Sequence, residues 1–417
     1  MTEIDWSEEK GFPGLGRKLR ILVAPANEGG CSYYRAINPY NKLVELFPDV
    51  VEIRSNQNPL GWEHEEVEND DGEKGQKMSE DEELEDLNWC DIVMTQNIAN
   101  FGGQYTARVV GKAKELGKFV HYDTDDLLTE LYEGHRLENV YKEKGLSDIT
   151  KFIYSHSDIV SVTQNKFANR IASYCNSTLI VLKNAIDYNL PSWRLAKSPS
   201  PRKLCRVGWV GGIHHEEDVK EFAGIPHLVN QKAGRERVHW GFYGRPPVDK
   251  DPETGEPRPD WQQDVWDNYE KIMLKGFRGA KNWHVFNALN ADAYGMMFSR
   301  IDLAIAPLQM NNFNDSKSDI KVAECGRYKI PLIASDVGCY DETIVNGETG
   351  YLISPDAPKS EWVRILTKCI KNPKHVKEMG ENLHEITEEY FDLNKTIKYR
   401  LDMYHSCFKP EGVTSGS

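Results

Sequence analysis

The stretch DSKSDIKVAECGRYKIPLIASDVGCYDETIVNGETGY, residues 315–351, decides how the chain reads. Lys317, Lys321 and Glu324 are spaced i, i+4 and i+7, which puts them on one face of a helix. Ser316 suits the cap, and Asp319 falls in the first turn, where its charge complements the helix N-terminus. A lysine beside the free backbone N–H groups of a first turn makes a site for an anion such as a diphosphate. Glu324 accepts hydrogen bonds further along that face and suits a sugar or ribose diol. A solvated face with ordinary charge spacing is the competing reading. Pro331 ends the helix region, and Leu332-Ile333-Ala334 reads as a buried parallel strand. A polar helix start beside a short buried strand is how an α/β protein builds a ligand cleft.

The remaining composition bounds the answer. A chain of 417 residues exceeds one ordinary core, so two domains are expected. No run of 18 apolar residues occurs, and the acidic start MTEIDWSEEKG has no apolar core, so neither a membrane span nor a secretory signal is read. Eight scattered cysteines show no CxxC or zinc spacing, which fits reduced thiols in the cytoplasm. The net charge is −14, and Glu63–Asp86 alone carries 13 acids against Lys74 and Lys77. That stretch reads as a polar, solvated insertion, mobile at its centre. A localised charge argues only weakly against nucleic acid.

Strand and helix patterns alternate along the chain. Strands are expected at Lys18–Pro25, Asp91–Thr95, Lys118–Tyr122, Asp158–Thr163 and Thr178–Leu182. After a Pro/Ser-rich basic stretch they resume at Cys205, His239–Tyr243, Trp283–Val285, Asp302–Ala306 and Pro331–Ala334. This rhythm gives two doubly wound α/β domains with parallel sheets, whose ligands bind at the carboxyl ends of the strands. The boundaries read as a tail 1–17, a first domain 18–190 with an acidic insertion 60–87, and a hinge 191–204. A second domain 205–385 with an insertion 245–262, helices over 386–410 and a tail 411–417 follow. In the first domain, Gly29 and Gly30 make a strand-to-helix connection, with Arg35 at the start of the helix. No GxGxxG fingerprint is present. The sequence HYDTDD, 121–126, imitates a DxD metal motif, but the two-domain pattern opposes a metal there. Asp123 is expected to end a strand and face the cleft, with His121 as the alternative, while Asp125 and Asp126 cap a following helix.

GWVGGIHHEED at 208–218, DLAIAPL at 302–308, KSDIKVAE at 317–324, and PLIASDVG with NGETGYLI resemble retaining nucleotide-sugar glycosyltransferases of the two-domain GT-B type. The similarity is to family 4, also called group 1, including members that build surface polysaccharides. It is strong over about 205–355 and weaker over 19–190. The resemblance implies two Rossmann-like domains facing across a cleft, with a C-terminal helix crossing back to the first domain. It implies transfer of a sugar from a UDP- or GDP-sugar to an acceptor hydroxyl, with retention and no catalytic metal. Glu324 resembles the second glutamate of the family's Glu-x7-Glu motif and is expected to hold the ribose. The first glutamate falls at Ser316, a departure. Lys317 and Lys321 resemble a KSxxK variant that meets the diphosphate, and Asp315 and Asp319 are substitute candidates for the lost carboxylate. Gly211 and Gly212 resemble the loop that approaches donor phosphates, and His215 with Asp218 resembles an HxxD variant. Gly29 and Gly30 resemble the glycine loop beside the reacting centre, Arg35 is expected to meet an anion, and Asp123 to touch donor sugar or acceptor. A nucleotide-sugar epimerase, a non-catalytic binding protein, and a modified nucleic acid as acceptor remain as alternatives.

Overall fold

In the computed structural model of the chain, the described residues are 4–68, 74–79, 83–97, 102–198, 204–248, 260–277 and 282–408. They form two compact units. The first comprises Met1–Glu130, Asn139–Leu182 and Thr396–Ser417; the second comprises Leu131–Glu138 and Lys183–Lys395. The second unit thus begins at Lys183, earlier than the hinge expected at 191–204, and it takes in a short segment expected in the first domain. Within the acidic insertion, the hinge, the 245–262 insertion and the C-terminal tail, residues 69–73, 80–82, 199–203, 249–259 and 409–417 lie outside the described residues.

The first unit is built on β1 (Leu19–Ala24), β2 (Val51–Ser55), β5 (Ile92–Thr95), β6 (Phe119–Asp123), β7 (Ile159–Val162) and β8 (Thr178–Val181). They pair in parallel in the order β2-β1-β5-β6-β7-β8. All residues of β5 and β7 are buried, which is why these segments read as apolar runs and not as alternations. The polar edge strand β2 gave no such signal. The acidic stretch contains an antiparallel pair, β3 (Glu63–Glu68) with β4 (Lys74–Ser79), where an unpaired loop was expected. Its register runs from Glu63 opposite Ser79 to Glu68 opposite Lys74.

A buried polar chain holds the core of this unit. Arg35 and Asp123 are essentially unexposed, and the guanidinium meets both carboxylate oxygens, Nε at 2.9 Å from Oδ1. Arg35 also donates to the carbonyl of Leu182. Ser161 donates its only hydroxyl proton to Asp123, so its oxygen must accept from His121 Nε2, 2.7 Å away. His121 Nδ1 is then an acceptor, and Tyr404 donates to it at 2.8 Å. Tyr404 accepts in turn from Tyr40. Burial, opposed by Asp123 and assisted by Arg400 and Arg35, pushes His121 down to about 3, so the ring is neutral at ordinary pH. Burial would raise Asp123, but Arg35 outweighs it and the group stays ionised. Tyr404 lies on the helix Lys398–Cys407, which is how the end of the chain is tied into this core.

The second unit carries β9 (Cys205–Val210), β10 (Val238–Arg245), β11 (Trp283–Asn287), β12 (Leu303–Ala306), β13 (Leu332–Ser335) and β14 (Gly350–Ile353). The sheet is parallel throughout, in the order β11-β10-β9-β12-β13-β14. Strand order reverses between β9 and β12, which opens a crevice at their carboxyl ends. Trp209, Trp240, Trp266, Phe222 and Trp362 pack this unit's core. Gly244, at φ +122, comes so close to Gly211 that a Cβ would lie 2.0 Å from the Gly211 carbonyl oxygen, so only glycine lets β10 pass the end of β9.

Removing one partner of the buried pair should be costly. Asp123→Ala leaves a buried guanidinium uncompensated and should lower unfolding stability by about 3–5 kcal/mol. Glu361→Ala, which breaks the exposed Arg364 pair, should change it by less than about 1 kcal/mol. Urea denaturation of the two variants measures the contrast.

Candidate functional site

The crevice of the second unit is assembled from three loops. After β9, Gly211 donates its N–H to the Tyr243 carbonyl at 3.0 Å, and Gly212 follows in open space. Neither glycine has a positive φ, and a Cβ on Gly212 would meet nothing within 4 Å. Nothing in the protein's own packing requires glycine at 212. Tyr269, from the helix Trp261–Met273, pins the loop by donating to the Ile213 carbonyl at 2.7 Å and accepting from His215 N–H at 3.0 Å.

His215 precedes the helix Glu216–Glu221, and its Nδ1 lies 2.8 Å from Asp218 Oδ2. Asp218 is buried, and its other oxygen accepts from Gln309 N–H and Asn314 Nδ2, both at 2.8 Å. This carboxylate therefore joins the loop after β9 to the loop after β12. As an acceptor it fixes the His215 proton on Nδ1, so Nε2 can donate to an anion only from the imidazolium. Leu308 N–H bonds Ser335 Oγ at 2.9 Å and ties the loop after β12 to the end of β13.

The third component is the segment 312–327. The expectation of one helix carrying Lys317, Lys321 and Glu324 is not met. A short helix, Asn312–Asp315, ends at Ser316, which is buried and donates to the Asn312 carbonyl at 2.9 Å. A second helix, Ile320–Arg327, starts after Asp319. Ser316 is therefore a C-terminal residue of the first helix, not the cap of the second. Lys317 lies between the two helices, its ammonium 4.6 Å from the Phe313 ring centre.

Lys321 and Glu324 do share a face. Lys321 Nζ donates to Glu324 Oε2 at 2.7 Å and to Tyr294 OH at 2.8 Å. Burial would lower the ammonium, but Glu324 and Tyr294 outweigh it and the net shift is upward. Lys321 thus stays cationic while retaining 22% exposure, and Glu324 is buried beneath it. Asp319 is fully buried, makes no capping bond, and among the described residues has no hydrogen-bond partner on either oxygen. Lys183 Nζ is 4.0 Å away but pairs with Glu342. Burial, only partly offset by Lys183, pushes Asp319 up to about 6.

The segment Leu131–Glu138 also belongs to this unit. His135 stacks on His214, ring centres 6.0 Å apart, and packs on Phe313 at 4.9 Å, while Arg136 pairs with Glu216.

In the first unit, Gly29 and Gly30 follow β1 and open the helical run that contains Arg35. A Cβ on Gly29 would press on Asn27 Oδ1 at 2.8 Å, whereas one on Gly30 would meet nothing. Asp123 and Arg35 are corrected. They were expected to face ligands, but they are buried and paired with each other in the core. His121, the alternative, is equally buried. No helix directly follows Asp125 and Asp126, so they cap none. They gather with Cys31, ligand-type atoms within 4.8 Å of one another, and Asp125 is pushed up to about 6 by burial and by Asp126.

Sequence reasoning missed Tyr294, Tyr269, Asn314 and Lys183. Each reaches the crevice residues from a distant part of the chain, and none lies in a motif that marks it.

Comparison with known proteins now bears on this geometry. Residues 267–385, which include Lys317, Lys321 and Glu324, match the family model described as glycosyl transferases group 1. No curated protein matches in sequence. Similar solved structures include sucrose-phosphate synthase from Thermosynechococcus elongatus, at 13% identity, covering 94% of this chain and 99% of that one, with a TM-score of 0.62. HepE of Anabaena, solved with UDP and glucose, is 14% identical over 94% of this chain and 100% of that one, at 0.58. A glycosyltransferase from Rickettsia africae is 14% identical over the same shares, at 0.56. The chain has the GT-B fold. Among the described residues, no helix is long and apolar enough to cross a membrane.

Asp319 makes a stability prediction. Its folded value, about 6, lies above the ordinary 3.8, so folding disfavours the charged form. The penalty is absent below pH 4, grows as pH rises to 6, and is constant above. Asp319→Asn should therefore stabilise the protein by up to about 3 kcal/mol at pH 8, and the gain should vanish toward pH 4. Denaturation at the two pH values checks it.

Proposed function

We propose that the protein is a glycosyltransferase moving a sugar from a nucleotide diphosphate sugar to an acceptor hydroxyl, with retention of anomeric configuration and without a catalytic metal. The observation that carries this reading is the Lys321–Glu324 pair beside the switch-point crevice, inside the stretch that matches the group 1 model. HepE, of the same fold, was solved with UDP and with UDP-glucose, which favours a UDP-sugar over a GDP-sugar here.

In this reading Glu324 accepts from the ribose hydroxyls. Lys321, Lys317 and the first-turn amides of the helix Ile320–Arg327 face the diphosphate, with Gly211 and Gly212 letting it approach the backbone closely. His215, oriented by Asp218, lies on the same loop. Gly29 and Gly30, on the loop after β1 of the first unit, are assigned to the acceptor. The bond between the anomeric carbon and the diphosphate oxygen breaks as positive charge develops on the ring. The acceptor oxygen attacks from the face of departure, and its proton passes to the leaving phosphate oxygen. No protein carboxylate is needed as base, which agrees with Asp123 being locked against Arg35. We assign the protein to the cytoplasm, where such donors are made.

Incubation with UDP- and GDP-sugars, detection of released nucleotide, and NMR of the product anomer test the reading. Lys321→Ala should lower nucleotide release by on the order of 100-fold; near-normal turnover would reject its role. Gly212→Ala meets open space and should leave stability unchanged while weakening donor binding. A variant that binds donor normally would remove Gly212 from the site.

A further inference from the structure

Among the described residues of the second unit, the carboxylate of Asp319 is left without a hydrogen-bond partner. It is fully buried. An aspartate before a helix ordinarily accepts from the N–H groups of the first turn; this one does not, although it immediately precedes the helix Ile320–Arg327. Four titratable groups face it. Lys183, at the start of the unit, is 4.0 Å from Oδ2 but is held by Glu342. Glu342 and Tyr340 come from the short helix Tyr340–Glu342, and Cys339 precedes it. Of the lysines on its own segment, Lys321 is committed to Glu324 and Tyr294, and Lys317 lies over Phe313. One partly exposed ammonium thus serves two carboxylates, the exposed Glu342 and the fully buried Asp319.

We propose that binding of a nucleotide diphosphate sugar at this helix N-terminus is coupled to uptake of one proton by Asp319. The inference rests on the donor reading given above. A diphosphate brings two further negative charges to the end of the helix that Asp319 flanks. Like charges in a poorly solvated place cannot all remain ionised. The phosphates of a nucleotide sugar do not protonate near neutral pH, and Glu342 already has Lys183. Asp319 is the buried carboxylate that Lys183 only partly offsets, and its burial has already moved it toward neutrality, to about 6. Protonation turns it from a repelling carboxylate into a neutral hydrogen-bond donor. The proton comes from the buffer. Donor affinity therefore acquires a pH dependence that Lys317, Lys321 and Glu324 do not supply.

Titration calorimetry of the full chain with UDP-glucose and with GDP-glucose at pH 7.5, in buffers of different ionisation enthalpy, reads proton uptake directly. The wild-type protein should take up about half to one proton per donor bound, and its affinity should fall by up to about tenfold per pH unit between 6.5 and 8.5. Asp319→Asn should bind with no proton uptake and a flat pH profile. Wild-type binding without uptake, or equal uptake by both proteins, would overturn the coupling and leave the donor reading standing. Failure of both proteins to bind either nucleotide sugar would overturn the donor reading and this inference with it.

Discussion

The arrangement of the second unit hangs on one buried carboxylate. Asp218 accepts from His215 on its own loop, and from Gln309 and Asn314 beyond β12. Parallel strands leave their carboxyl ends facing the same way, but nothing in a ladder of backbone bonds fixes the loops that follow. A single acceptor shared by two loops does. It joins the loops that follow β9 and β12, where strand order reverses, and it fixes the tautomer of His215. The Tyr269 hydroxyl and the Ser335 hydroxyl extend the same constraint to the neighbouring loops.

The chain treats its buried charges in two ways. In the first unit, Asp123 is fully compensated by Arg35, Ser161 and the ordered chain of hydrogen bonds from Tyr40 through Tyr404 and His121. That carboxylate is structural because every acceptor site is used. In the second unit, Asp319 has no such partners. Lys321 and Glu324 lie between these extremes, paired with each other yet partly open to solvent through the lysine. An unsatisfied or half-satisfied charge beside a crevice is where ligand binding has electrostatic work left to do.

Much of the fold was legible in the sequence because fully buried parallel strands leave short apolar runs. IVMT, IVSV, LAIA and LIAS are each buried at every position. The polar strands β2, β3 and β4 left no such trace. The helix carrying Glu324 was legible, but its start was misplaced by several residues. Spacing alone cannot distinguish one helix over 316–327 from two short helices broken at Ser316. The pairing of Lys321 with Glu324 follows from local spacing. The sequestration of Asp123 does not, because Arg35 and Ser161 lie 88 and 38 residues away. For the same reason a polar strand end such as HYD reads equally well as a site or as a core.

The account stands or falls on where a donor nucleotide sits. A crystal structure with bound UDP-glucose measures this directly. The account predicts the ribose on Glu324 and the diphosphate at the start of the helix Ile320–Arg327, within reach of Lys317, Lys321 and the Gly211-Gly212 backbone. A nucleotide bound away from these residues, with the Lys321–Glu324 pair untouched, would contradict it.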